Sequence, residues 1–171
     1  MPANFDDQLE VVAELVREIA RMESAEKRIA GKRGIDAYEQ ELRLAGLAQR
    51  ISQSYTVIEG VLNFVARRID GEPVTGEDWH KKLLARCVHG YGNPGRPPVI
   101  SEESNRDLLE LCEFRHVIRN IYPTRLEAAR VQENLRRLIR AVRRFQVEVA
   151  AFSALSSRGR KRIRGRSKAG T

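Results

Sequence analysis

The chain has 171 residues, of which 32% are charged, 6% are aromatic and two are cysteines. This length fits one domain plus a short appendage, and it can bury a core without disulfides. The two cysteines, Cys87 and Cys112, lack the spacing of a zinc site or a disulfide framework, so we interpret both as core residues in a reducing compartment. The start MPANFDDQLE has no signal-peptide pattern, and no window suits a membrane span, so we expect a cytoplasmic protein without membrane contact.

The positive charge is concentrated at the carboxyl end. Residues 157–171 contain seven basic residues and no acidic ones, so residues 1–156 keep only +1 of the formal net charge of +8. We therefore predict a folded helical domain over residues 1–156 and a disordered basic tail over residues 157–171. The tail fits two interpretations, non-specific attraction to a phosphate backbone or a solubilising segment. It has no aromatic residue that could stack on bases.

The first two helices are predicted by apolar stripes with spacings of three and four residues. The first stripe consists of Phe5, Leu9, Val12, Val16 and Ile19. It ends at the glycines of AGKRGID, where Asp36 can cap the second helix. The second stripe consists of Leu44, Ala48, Ile51, Tyr55, Ile58, Leu62, Val65 and Ile69. This stripe is longer than a small monomeric bundle needs, which favours knobs-into-holes packing and a homodimer. The segment DGEPVTG ends the helix, because glycine and proline disfavour it.

Three more helices follow. The third carries an apolar side of Trp79, Leu83, Leu84, Cys87 and Val88, with Trp79 interpreted as a packing anchor. Residues 89–100 must form a loop, since they include three glycines and three prolines. Ser101 can cap the fourth helix, which stops near Pro123. The last helix has the stripe Leu135, Leu138, Val142, Phe145, Val149 and Phe152. No segment has strand-like alternation, so we predict an all-α fold, an up-and-down antiparallel bundle of about five helices.

The fourth helix contains a group of residues suited to phosphate binding and proton transfer. Arg115 and Arg119 are one turn apart, and His116 and Asn120 stack beside them in the same way. Guanidinium groups donate bidentate hydrogen bonds to phosphate, and imidazole exchanges protons near neutral pH. On spacing alone, an exposed basic helix face is the simpler interpretation. No metal site is predicted, because His89 in the glycine-rich loop has no second ligand at a suitable spacing.

The segment LLELCEFRHVIRNIYPTRL, residues 108–126, resembles the signature of HEPN-domain proteins of the HepT-like toxin type. The segment GEDWHKKLL around Trp79 and His80, the proline-rich loop and RPPVISEES agree with this resemblance, which covers roughly residues 40–155. It implies a helical bundle that forms a homodimer, bringing two motifs together as a metal-independent endoribonuclease site that acts on RNA without a cofactor. It also implies a partner, a nucleotidyltransferase antitoxin that in several members transfers AMP to the motif tyrosine.

The resemblance also assigns roles to individual residues. Arg115 matches the arginine that holds the scissile phosphate, with Arg119 as a second phosphate-binding group, and Tyr122 matches the tyrosine that accepts AMP. Asn120 occupies the position of the catalytic histidine, and an amide cannot accept and return a proton near neutral pH. His116 is the nearby substitute, but it lies one turn away from the usual position. We expect an RNA-binding toxin component with impaired nuclease activity. The alternative is a non-catalytic dimeric adaptor module.

Overall fold

The computed structural model describes residues 5–30, 34–92, 95–120 and 126–167, with side chains of the last helix as far as Ser156. Within these residues the α-helices are α1 Asp6–Ala30, α2 Ala37–Phe64, α3 Trp79–His89, α4 Glu102–Asn120 and α5 Ala128–Ser167. A π-helical turn, Val65–Ile69, continues α2 directly. The described ranges contain no β-strand, only an isolated antiparallel bridge between Tyr91 and Arg96. The predicted all-α class with five helices is confirmed.

Two of the helix starts form as the sequence predicts. Asp36 caps α2, because its Oδ1 accepts a hydrogen bond from the Glu39 backbone N–H at 2.8 Å. The Glu39 side chain in turn accepts from the Asp36 backbone N–H at 3.4 Å, which completes a capping box. Ser101 caps α4 through its Oγ, which accepts from the Ser104 backbone N–H at 3.1 Å. These contacts satisfy backbone donors that the first turn of a helix leaves unpaired.

Helix α2 is the central element and packs against the four other helices. Its stripe is buried from Leu44 to Val65, with Ile51, Ile58 and Leu62 fully enclosed, whereas Ile69 is only partly buried. The stripe of α5 is buried as well. Helices of the same chain therefore cover the long stripe of α2, so the stripe alone is no longer an argument for a second copy.

Both cysteines are free thiols in the core, as predicted. Cys87 is fully buried and Cys112 nearly so. Burial raises the pKa of the Cys87 thiol to about 12. Burial also raises the pKa of the Cys112 thiol, although a hydrogen bond with Tyr55 opposes that shift. Because the thiolate is the nucleophilic form, neither cysteine is a reactive group near neutral pH.

The carboxyl end of α5 extends past the predicted domain boundary. Helix α5 ends at Ser167, whereas the last residue described as buried is Phe152. The side chains after Ser156 lie outside the described residues, so the end of this helix does not test the predicted disorder. The disordered tail over residues 157–171 stays a prediction. Among the described helices, none combines the length and apolar character that a membrane crossing requires.

Candidate active site

The motif arginine, Arg115, lies on the buried side of α4 and is only 6% exposed. Its Nη1 is 3.7 Å from Oε2 of Glu59 on α2, and its Cζ is 5.9 Å from the ring centroid of Tyr55. Nη1 forms this ion pair but no hydrogen bond to any described residue. A buried donor without a hydrogen bond is costly, and the ion pair with Glu59 offsets part of that cost.

Glu59 is the second member of the site and joins α2 to two other helices. One carboxylate oxygen, Oε1, is hydrogen-bonded to Nδ1 of His80 at the start of α3, and the other faces Arg115. The Glu59 side chain is 8% exposed. A buried carboxylate is tolerated only where cationic or hydrogen-bonding groups compensate for lost hydration. Here Arg115 and His80 supply that compensation from opposite sides.

His80 brings an imidazole to the motif helix from a different part of the chain. Its ring packs on the Trp79 ring, with centroids 3.8 Å apart and an interplanar angle of 32°. It also meets the His116 ring at 5.5 Å and 83°, an edge-to-face arrangement. With Nδ1 donating to Glu59, the neutral His80 ring keeps Nε2 as an acceptor. We refer to Glu59, His80, Arg115 and His116 as the motif cluster.

The sequence predicted one compact polar patch on α4, but the structure places its members on different sides of the helix. Arg115 faces inward to Glu59, whereas His116, Arg119 and Asn120 are exposed. The Asn120 side-chain amide donates to the His116 carbonyl oxygen at 2.8 Å, so it is bonded to its own helix. The predicted AMP acceptor, Tyr122, lies outside the described residues. The helical spacing had placed Arg115 on the same side as Arg119, and this part of the prediction is wrong, because Arg115 is buried against α2 while Arg119 is exposed.

Sequence reasoning missed Glu59 and the role of His80. Glu59 follows Tyr55 by four residues and precedes Leu62 by three, so it lies on the apolar stripe of α2, where an acidic residue is unusual. That position was a usable signal for a buried, paired carboxylate. Nothing in the sequence pattern pairs residue 59 with residue 80, because their contact depends on how α3 packs against α2.

The cluster combines acid–base groups with positive charge. Arg119 on α4 and Lys81, which directly follows His80, are exposed, and the described residues provide no ion-pair partner for either. Exposed cations on the helices that carry these imidazole groups suit a phosphate-containing ligand. Within the part of the chain that the structure describes, no three His, Cys, Asp or Glu side chains are placed to hold a metal ion.

A family model described as HepT-like protein matches residues 46–156, a range that contains every member of the motif cluster. The chain belongs to the HepT-like protein family. The match agrees with the resemblance inferred from residues 108–126 and supports a HEPN-type toxin fold. Searches of curated proteins and of solved structures found no match to this HepT-like chain.

Proposed function

We propose that this HepT-like protein is the toxin component of a toxin–antitoxin pair and binds RNA at the motif cluster. The observation that carries the proposal is the retained motif arginine, Arg115, held by Glu59 beside two imidazole rings. Arg119 is exposed and can contact a phosphate directly. Arg115 is buried, so it contributes positive charge and its ion pair with Glu59 rather than an exposed donor. The site has the groups of a metal-independent endoribonuclease.

Asn120 separates binding from cleavage in this proposal. It stands where the family pattern has a histidine, and its amide cannot carry a proton between substrate and solvent. The chain is therefore expected to bind RNA and to cleave it slowly. The decisive test is an RNA cleavage assay and a growth assay of the chain beside Asn120→His. Cleavage and growth arrest by the variant support the proposal, whereas an inert variant favours the adaptor module.

A homodimer is the first expected property of this function. In the proposal, two copies of the chain meet so that their motif helices lie close to one another, as the family resemblance implies. Sedimentation velocity at micromolar concentration should give the mass of two chains. A monomer under these conditions would contradict a shared two-motif site, because each cluster would then act alone.

Modification of Tyr122 is the second expected property. We propose that the antitoxin is a nucleotidyltransferase that transfers AMP to the phenol of Tyr122 and thereby blocks the site. Incubation with the proposed nucleotidyltransferase antitoxin and ATP should add one AMP per chain by mass spectrometry. Tyr122→Phe should abolish the addition, while Tyr38→Phe, which changes a 68% exposed tyrosine on α2, should leave it intact. Equal labelling of Tyr122→Phe would exclude this acceptor.

The basic tail is the third element of the proposal. Residues 157–171 carry seven positive charges, which should attract RNA by releasing counterions from its backbone. Truncation after Ser156 should weaken RNA binding at low salt by at least about tenfold and make the salt dependence less steep. Thermal unfolding should be unchanged, since the last buried residue described is Phe152. Unaltered RNA binding at low salt would leave the solubilising interpretation.

A further inference from the structure

We infer that His80, positioned by Glu59, is the proton-transfer residue that sustains the slow RNA cleavage of this chain. The inference rests on the proposed function and extends it to a residue outside the motif helix. It explains how a site whose motif histidine is replaced by Asn120 can retain some activity. Its basis is the contact of α2, α3 and α4 at the motif cluster.

The first argument is the Glu59–His80 hydrogen bond. A carboxylate bonded to Nδ1 holds an imidazole in one tautomer and orientation, and it stabilises the imidazolium that forms when Nε2 takes a proton. Glu59 is 8% exposed and His80 15% exposed, so little water competes for this bond. Within the described residues His80 Nε2 forms no hydrogen bond, which leaves it able to accept one from a substrate hydroxyl.

The second argument is where the His80 ring lies. Trp79 packs on one side of it, and the His116 ring stands nearly perpendicular at 5.5 Å. These contacts restrict rotation of the ring and hold it beside α4, the helix that carries Arg115 and Asn120. The two imidazoles are therefore close enough to contact one bound phosphodiester together. A catalytic base must lie within hydrogen-bond reach of its proton, and a fixed ring meets that need better than a mobile one.

The reaction that this pair supports is transfer of the phosphoryl group within the RNA chain. His80 Nε2 takes the proton of a ribose 2′-hydroxyl, and the 2′-oxygen forms a bond to phosphorus. The bond from phosphorus to the 5′-oxygen breaks, and that oxygen takes a proton from the His116 imidazolium. The products are a 2′,3′-cyclic phosphate and a 5′-hydroxyl end. Exchange with water then returns each imidazole to its starting protonation state.

The test compares variants in two backgrounds, the Asn120 chain and Asn120→His. In the Asn120 chain, His80→Gln and His116→Gln should each lower single-turnover cleavage of an RNA oligonucleotide by about 10²-fold, which is the lower end of the contribution of a positioned acid or base. Glu59→Gln keeps an acceptor but removes the charge, and it should lower cleavage less. RNA affinity should stay within about twofold in all three. The matched control is His89→Gln, which changes an exposed histidine at the far end of α3 and should cleave normally.

In the Asn120→His background the introduced histidine takes over proton transfer. His80→Gln and Glu59→Gln should then cause a much smaller decrease, whereas damage to folding would lower cleavage equally in both backgrounds. An inert Asn120→His variant overturns the proposed function itself. If Asn120→His cleaves but His80→Gln or His116→Gln cleaves as fast as the Asn120 chain, only the role of His80 and His116 is overturned. Absence of any cleavage by the Asn120 chain, beside an active Asn120→His, overturns that role too.

Discussion

The Asn120→His variant is expected to cleave RNA about 10²–10⁴ times faster than the Asn120 chain, the usual contribution of a positioned general base. RNA affinity should change by less than about twofold, because Arg115 and Arg119 are untouched. The substitution should also be tolerated structurally. Asn120 is exposed at the end of α4, and its one side-chain hydrogen bond is to the His116 carbonyl of the same helix. A partly protonated imidazole is favourable near a helix carboxyl terminus.

Single-turnover cleavage and fluorescence anisotropy measure the two quantities separately. The matched control is Asn120→Gln, which changes the length of the side chain but keeps an amide that cannot transfer a proton. This control should bind RNA and cleave as slowly as the Asn120 chain. Fast cleavage by Asn120→Gln would show that side-chain length, not proton transfer, limits the reaction. Fast cleavage by the Asn120 chain would contradict any requirement for the motif histidine.

Much of the fold follows from short-range patterns. The cap at Asp36, the stripe of α2 and the glycine- and proline-rich loop were all predictable, because each depends on residues within one or two helical turns. The burial of both cysteines was predictable for the same reason, since each belongs to an apolar helix side. The extent of α5 was not, because residues 157–167 have no apolar pattern that would mark a helix.

The position of Arg115 shows where the sequence interpretation was incomplete. Arg115 follows Leu108, Leu111 and Cys112 by seven, four and three residues, so it continues the buried stripe of α4. The helical spacing to Arg119 suggested that Arg115 lies on an exposed face. The spacing to the apolar residues decides its position instead, because burial of those apolar residues stabilises the fold. Arg115 is buried because Glu59 and Tyr55 provide a polar and aromatic environment for it. Those partners come from α2, and only the packing of the helices reveals them.

This burial changes how an Arg115 variant must be interpreted. Arg115→Ala should lower RNA affinity. It also removes one of the two ionisable partners that the structure describes for Glu59, so that only His80 remains. Part of any loss would then reflect a disturbed cluster and not a missing phosphate contact. Arg119→Ala is the cleaner probe of RNA binding, because Arg119 is exposed. Comparing the two variants separates phosphate binding from positioning.

The second large effect is expected at Asp70, where Asp70→Ala should lower the free energy of unfolding by about 3–5 kcal/mol. The Asp70 side chain is fully buried at the end of the π-helical turn, and the Arg96 side chain is 9% exposed. Arg96 Nε donates to Asp70 Oδ1 at 2.5 Å, and Nη2 donates to Oδ2 at 2.9 Å. Removing the carboxylate leaves a buried guanidinium without its counter-charge, which is the costly half of breaking a buried pair.

Urea unfolding followed by circular dichroism should detect this loss as a lower midpoint. The control is Glu14→Ala, which removes a 58% exposed carboxylate paired with Arg17 and should shift the midpoint only slightly, because solvent screens this pair. Replacing both buried partners, Asp70→Leu with Arg96→Met, should recover most of the stability because no unpaired charge remains. A cost at Asp70→Ala no larger than that at Glu14→Ala would show that the pair is weak or solvated.

The Asp70–Arg96 pair also affects the motif cluster. Arg96 lies in the loop between α3 and α4, and Asp70 lies at the end of the π-helical turn that continues α2. Arg96 further packs over the Phe152 ring of α5 at 5.9 Å, so this residue ties the loop to two other elements of the bundle. The same three helices, α2, α3 and α4, supply Glu59, His80 and Arg115. Loosening the loop should therefore let His80 move relative to Glu59. Asp70→Ala is expected to lower the slow cleavage of the Asn120 chain even under conditions where the variant remains folded, and the double replacement should restore cleavage together with stability.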